Sequence, residues 1–302
     1  MDASSTSPCG RSMYSCPECR QPIDPAQRCA CGFLARIDDG IVDLMTPAQI
    51  EEYSGFITAY DAVRQAEGWG GDDLDLPHAP QGHREIWAVR RRTFRRLDRL
   101  LRRTFPTGGK VLDAGAGNCW LTRHLDHWGF DATALDINTS PRDGLRAGQA
   151  YLSVGDRFER VRAPMEAPPF PDESFDLVVS SGAFHYAPDP GRTLGALARV
   201  LKSSGHIVIL DSPWYERRPD GRRAWEQGVR DLIQTHGLDE ADARRSTFLY
   251  PGGFEAATLE NGLTYRRLSV WPGWRRAIDA VRGRFYERPI AAFPLLVVRK
   301  RS

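Results

Sequence analysis

The residues able to do chemistry gather in three places. Four of the six cysteines fall within sixteen residues, as Cys16-Pro-Glu-Cys19 and Cys29-Ala-Cys31-Gly32. Two short Cys pairs on tight turns can set four thiolates at the corners of a tetrahedron, the geometry zinc takes with sulfur at about 2.3 Å. Four sulfurs leave no open coordination position, so such a metal is structural. The second place is Asp113-Ala-Gly115-Ala-Gly117-Asn118-Cys119, which follows the apolar pair Val111-Leu112. The third is Ser180-Ser-Gly-Ala-Phe184-His185-Tyr186, where His185 is the candidate general base, with an ordinary pKa near 6.5. Two readings of His185 stay open, a base or a ring hydrogen-bonded beneath a loop. Phe184, Tyr186, Trp214 and Tyr215 are either walls of a substrate site or ordinary core.

These residues need particular elements to position them. A strand through Leu112, a glycine turn and a helix from Leu121 form a nucleotide-type site, because bare backbone lets a ligand approach closely. A dinucleotide fingerprint needs a third glycine where Trp120 stands, so a pyrophosphate fits poorly. No Gly-Lys-Ser/Thr follows, which removes a P-loop. Asp136 ends the next strand, 23 residues after Asp113, where a carboxylate accepts hydrogen bonds from two ribose hydroxyls.

The Asp-x-Gly-x-Gly of residues 113–117 resembles motif I of the class I S-adenosylmethionine (SAM)-dependent methyltransferases. The segment from Ala163 through Phe170-Pro-Asp-Glu-Ser-Phe175-Asp to Ser180 resembles the stretch that leads into the fourth strand of that family. Ala198-Arg-Val-Leu-Lys-Ser203-Ser204-Gly resembles its next helix–turn–strand. The matches run in order over about residues 108–212. The resemblance implies an α/β, Rossmann-like seven-stranded sheet binding SAM. It implies Asp113 on the cofactor ammonium, with Gly115, Gly117 and Asn118 along its methionine part. Asp136 would hold the ribose, Ile137 would pack on the adenine, and the Met165 backbone NH would reach the ring. Ser180 would contact the cofactor at its strand end. Pro164 stands where many members carry an adenine-capping Asp, and Cys119 where many carry glycine. The four-cysteine segment is similar to the zinc ribbons placed before the catalytic domain in some bacterial methyltransferases.

Three regions are expected. Residues 1–48 form a zinc-ribbon-like module behind a disordered polar tail, in which Cys9 is a bystander. Residues 49–107 are a helical linker and the first helix of the catalytic domain. Residues 108–302 are the methyltransferase domain, with inserts at about 215–250 and 272–290. Some 45 residues bury little core, so the metal would fold the ribbon, leaving the larger domain to fold without it. Residues 33–44 read as strand, Asp39-Gly40 turn, strand. Pro47 to Glu67 reads as one helix or two, and Trp69 to Gly82 as a loop. His83 to Phe105 reads as a helix with Trp87, Phe94, Leu97 and Leu101 on its apolar face. Leu194, Leu197, Val200 and Leu201 mark another helical face. Tyr265–Trp271 and Pro294–Arg299 read as an antiparallel pair closing the sheet.

The 302 residues are 41% hydrophobic and 26% charged, with net charge +2. That is an ordinary globular composition, with no run long enough to cross a membrane. The opening residues lack the apolar stretch of a secretory signal, so the cytoplasm is the expected compartment. Charge is uneven. Residues 84–103 hold nine arginines against Glu85 and Asp98. Only Lys110, Lys202 and Lys300 are lysines, which points to compositional bias and weakens arguments from arginine clusters. The expected reaction is methyl transfer from SAM to a small-molecule acceptor, an aromatic or acidic metabolite. The alternative is a ribosomal RNA methyltransferase whose arginine helix tracks phosphates. Arg275, Arg276, Arg282 and Arg284 are candidate contacts for an acidic group. No Asn/Asp-Pro-Pro-aromatic follows Ser180, which disfavours exocyclic base amines, and no nearby cysteine serves a pyrimidine C5 route.

Overall fold

The computed structural model describes residues 13–69, 84–271 and 289–301. Nine strands form one mixed sheet: β1 (Arg36–Asp38), β2 (Ile41–Asp43), β3 (Gly109–Ala114), β4 (Phe130–Asp136), β5 (Phe158–Arg162), β6 (Phe175–Ser181), β7 (Leu201–Leu210), β8 (Leu263–Leu268) and β9 (Leu295–Lys300). Their spatial order is β1-β2-β5-β4-β3-β6-β7-β9-β8. The run β5-β4-β3-β6-β7 is parallel, and β9 and β8 close it antiparallel. The order reverses between β3 and β6, and in open α/β sheets ligands bind beyond the strand ends at such a reversal.

Seven of these strands are the expected ones. The other two extend the sheet. The N-terminal hairpin does not stand apart: β2 pairs in parallel with β5, setting Ile41 against Arg160 and Asp43 against Arg162. The β5 edge would otherwise leave a row of backbone donors and acceptors unpaired, and the hairpin covers it. Its tight turn runs through Asp39 (φ 52°) and Gly40 (φ 69°), the left-handed pair a two-residue hairpin needs. Ser15 N donates to Pro169 O at 3.0 Å, and Cys16 and Cys29 share a core with Leu135, Val161 and Phe170. The four-cysteine segment is therefore packed into the larger domain.

Alternation along the strands sends Leu112, Val178 and Ile207 to one face and Val111, Leu177 and Val208 to the other. The helices are α1 (Pro47–Ala66), α2 (Arg84–Thr104), α3 (Trp120–His127), α4 (Gln149–Ser153), α5 (Pro190–Val200), α6 (Arg218–His236), α7 (Glu240–Ala243) and α8 (Pro251–Glu260). The first face is covered by α5 and α8, through Leu194, Leu197 and Phe254. The second is covered by α2 and α3, through Leu97, Leu101, Leu121 and Leu125. Pro47 to Ala66 is one helix, started by a capping box in which Thr46 and Gln49 satisfy each other's backbone NH. The 215–250 insert is α6 and α7. Cys9, most of the Trp69–Gly82 loop and the insert with Arg275, Arg276, Arg282 and Arg284 lie outside the described residues. Among the described residues, no helix is long and apolar enough to cross a membrane.

Candidate active site

One cavity lies beyond the carboxyl ends of β3, β4 and β6, beneath α1 and α2. Asp113, Gly115, Gly117, Asn118, Asp136, Ile137 and Met165 all line it. Gly115 (φ 80°) is there by necessity, since a Cβ would sit 2.2 Å from that of Ala183. Asn118 Oδ1 accepts from the backbone NH of Trp120, the first residue of α3, at 3.2 Å. Asp136 receives Gly117 N and Asn138 N, each at 2.8 Å, one on each carboxylate oxygen. Each oxygen keeps a lone pair for a further donor. Thr122 Oγ1 donates to Asp113 at 2.7 Å. Burial pushes Asp113 up to about 7 and Asp136 up to about 6. Burial disfavours charge on these two carboxylates, and a cationic group with hydroxyl donors bound beside them would relieve that cost.

A model of the family described as a methyltransferase domain matches residues 112–209. The sarcosine/dimethylglycine N-methyltransferase of Halorhodospira halochloris is 31% identical over 194 residues, covering 64% of this chain and 68% of that one. This chain is a SAM-dependent methyltransferase. The enzyme of the same description from Aphanothece halophytica is 28% identical over 155 residues, which span 51% of the methyltransferase and 55% of that relative. The Burkholderia thailandensis 1,6-didemethyltoxoflavin-N1-methyltransferase shares the fold, with TM-score 0.50 and 14% identity over 86% of this chain and 92% of that one.

Two site residues lie elsewhere. Ser180 is buried in β6, and strand alternation makes its neighbour Ser181 the one that lines the cavity. His185 borders a separate pocket with Tyr215, Trp225 and His236, and its Nδ1 lies 3.2 Å from Ser212 Oγ. Burial, helped by Arg90, pushes His185 down to about 4. It is neutral at pH 7 and a weak base, far from the match that general-base work favours. Of the four aromatics after β6 and β7, Tyr186 alone lines the cavity. Phe184 and Trp214 are core, and Tyr215 borders the second pocket. Cys119 is buried beneath the glycine turn, its thiol pushed well up by burial.

The methyltransferase uses α1 and α2 in ways the sequence reading missed. Tyr53, Phe56, Ile57, Tyr60 and Arg64 follow i, i+3, i+4, i+7, i+11 spacing and line the cavity from α1. Tyr186 packs on Phe56 and Tyr60, with ring centroids at 5.7 Å in each case. Arg64 pairs with Asp143 at 2.6 Å. From α2, Arg90 leaves the solvated arginine face and enters the cavity between Trp69 (5.4 Å) and Trp87 (5.3 Å). Among the described residues no carboxylate lies within 4.0 Å of it, and its charge acts on nearby Asp211, drawing that carboxyl down against the effect of burial. A Cβ on Gly182 would lie 3.4 Å from Arg90 Nη2 and 3.9 Å from Asp211 Cβ, so this guanidinium stands at the end of β6. Asp211 ends β7 with φ 56°, a left-handed setting uncommon outside glycine. It accepts from Thr93 at 2.7 Å and Ser181 at 2.9 Å, and burial holds it above the usual carboxylate range.

Proposed function

We propose that this methyltransferase methylates the nitrogen of a small acceptor that carries a carboxylate, with sarcosine-like amino acids the first candidates. The observation that carries this reading is Arg90, a cavity-lining guanidinium with no ion pair among the described residues. Arginine presents a planar fork that matches a carboxylate, and stacking on indole faces pre-orients it. The two bacterial relatives act, by name, on sarcosine and dimethylglycine. Bound SAM supplies an activated methyl group on a sulfonium.

The chain's own part is positioning and exclusion of water. Asp136 would accept from the ribose hydroxyls, Asp113 would take the ammonium, and Ile137 and Met165 would lie against the adenine. Arg90 would hold the acceptor carboxylate at the end of β6, beside Ser181 and Asp211. Tyr53, Phe56, Tyr60 and Tyr186 wall the cavity. An amine must present its lone pair, and Asp211 is the cavity-lining carboxylate placed to take the ammonium proton.

We also infer one structural zinc on Cys16, Cys19, Cys29 and Cys31. The four sulfurs lie within 4.8 Å of one another, with Cys16–Cys31 at 3.6 Å and Cys19–Cys29 at 3.4 Å. Thiolates about 2.3 Å from a tetrahedral zinc stand about 3.8 Å apart, so the set needs only a small adjustment. An RNA acceptor, the alternative raised by the arginine helix, gains no support: its one arginine in the cavity stands at the strand end.

Radiolabelled SAM with paired acceptors tests the reading. Sarcosine, dimethylglycine and aromatic amino acids are compared with their amides. Turnover of acids and rejection of amides is the expected result. Equal turnover of amides would remove Arg90 from the acceptor site.

A further inference from the structure

The four-cysteine segment and the cofactor cavity are joined by one side chain. Arg162 ends β5, between β2 and β4, opposite Asp43 on one side and Asp136 on the other. Its Nη1 donates to Asp43 Oδ2 at 3.2 Å, and its Nε donates to the carbonyl of Ile137 at 3.1 Å. Ile137 lines the cavity next to Asp136. One guanidinium therefore bridges the N-terminal hairpin and the backbone that carries the cofactor contacts. Arg162 is 20% exposed and Asp43 12%, so solvent screens this pair less than the surface ion pairs.

Asp43 is in turn held from the cysteine side. Its second partner is Arg36 Nη2, at 2.8 Å on the same oxygen, and Arg36 pairs with Asp43 across the hairpin. Cys29 N donates to Phe33 O at 2.9 Å, and Ala35 N donates to Gln27 O at 2.9 Å. The knuckle at Cys29–Cys31 thus leads within a few residues to Arg36. Leu44 N donates to Arg162 O at 3.0 Å, and Met45 N donates to the other Asp43 oxygen at 3.1 Å. From there the chain enters α1, which roofs the cavity.

We infer that Arg162 is a positioning residue that transmits the state of the four-cysteine module to the Asp136–Ile137 loop. Loss of the metal then weakens SAM binding and leaves acceptor chemistry unaltered. The inference rests on the zinc and cofactor readings above. Arg162 belongs neither to the cavity lining nor to the four-cysteine set. It holds the Ile137 carbonyl, and with it the direction of the backbone that follows Asp136, only while Asp43 holds its other end.

The test is a double-mutant cycle in the metal-replete full chain, read by calorimetric titration with SAM. Asp43→Ala and Arg162→Ala are each expected to lower SAM affinity about fivefold, and the double variant by about the same factor. The KM for SAM should rise with turnover at saturating SAM, and the acceptor KM, within about twofold of wild type. Arg162→Lys, which keeps the charge but not the fork, should recover part of the loss. Chelation should weaken SAM binding by wild type and leave Arg162→Ala nearly unmoved. Losses that multiply in the double variant, or equal chelation effects in both proteins, would overturn the inference. Elemental analysis separates the underlying readings. A chain that binds SAM without metal refutes the zinc reading alone, and a chain that binds no SAM refutes the cofactor reading. Where chelation unfolds the protein, the cycle alone decides.

Discussion

The hydroxyl of Tyr53 on α1 donates to the carboxylate of Glu166 beyond β5, and so latches the N-terminal helix over the cofactor cavity. Two more contacts act with it. Asn138 Nδ2 donates to Asp61 at 2.7 Å, and Arg64 pairs with Asp143 at 2.6 Å. Helix α1 therefore touches both of the loops that follow β4 and β5. Tyr53→Phe removes one latch and keeps the ring. We expect a loss of about 1 kcal/mol from the closed state, felt as about fivefold faster SAM release with unchanged protein stability. Stopped-flow displacement by S-adenosylhomocysteine measures it, and an unaltered release rate would show that α1 does not retain the cofactor.

Cofactor affinity should depend on pH through Asp113 and Asp136. Burial raises both above the usual carboxylate value of 3.8, to about 7 and about 6. In the ligand-free protein these groups hold protons more tightly than in the unfolded chain. Their contribution to stability is fullest below pH 3.8 and is lost as pH rises through about 6 and 7. SAM prefers the ionised forms, so its affinity moves the other way. It should rise about tenfold or more between pH 5.5 and pH 8, with proton release on binding. Asp136→Asn should lower affinity about tenfold at pH 8 and flatten the rise. Calorimetry in buffers of differing ionisation enthalpy counts the protons, and binding without proton release would contradict both assignments.

The glycine-turn side of the cavity was legible because it depends on local spacing. The glycine turn, Asp136 at its distance from Asp113, and Ile137 after it are all set within one β–α–β run. The acceptor side was not, since it depends on which face of a long helix turns inward. Arg90 is one of nine arginines between residues 84 and 103, and nothing in that run marks it out. The stripe Tyr53, Phe56, Ile57, Tyr60, Arg64 was readable as a helical face, but its destination was not. His185 was chosen for its type and its place after β6, and a short 3₁₀ turn, Phe184–Tyr186, directs Tyr186 to the cavity while His185 borders the second pocket.

The N-terminal hairpin was legible as a hairpin but not as part of the sheet, since a β2–β5 pairing spans more than a hundred residues. That pairing changes the expected effect of losing one of the four clustered cysteines. Cys29 is buried in the same core as Leu44, Val161 and Phe170. Cys29→Ser should lower the unfolding midpoint of the whole chain, by about 10 °C, in one transition. Scanning calorimetry distinguishes this from two transitions, with the larger domain at its original midpoint. The latter would show that the segment is an independent module.

His185 offers a control on the base assignment. With its pKa near 4 it stays neutral across the working range, and its ring packs beside Tyr186 at 4.3 Å. His185→Asn should reduce turnover by no more than about threefold and leave the pH–rate profile in place. Asp211→Asn should reduce turnover at least about a hundredfold, in the range of general-base loss. A profile that shifts in His185→Asn and not in Asp211→Asn would reverse the two roles.

The proposed acceptor turns on Arg90. Its guanidinium lies against Trp69 and Trp87, and Gly182 is the residue that leaves it room at the end of β6. Arg90→Ala should raise the KM of a carboxylate acceptor about tenfold to a hundredfold, the worth of a charged hydrogen bond. SAM affinity should stay within about twofold, because the cofactor contacts lie on other loops. Arg90→Lys should recover little, since an ammonium cannot reproduce the fork or the stacking. Arg95 and Arg99 lie on the exposed face of the same helix, and their alanine variants should behave as wild type. That contrast separates one recognising guanidinium from a diffuse basic surface. Were all three variants to weaken activity alike, and salt to weaken it steeply between 50 and 200 mM, the acceptor would be a polyanion bound along the helix. A loss confined to Arg90, insensitive to salt, leaves a small carboxylate held at the end of β6.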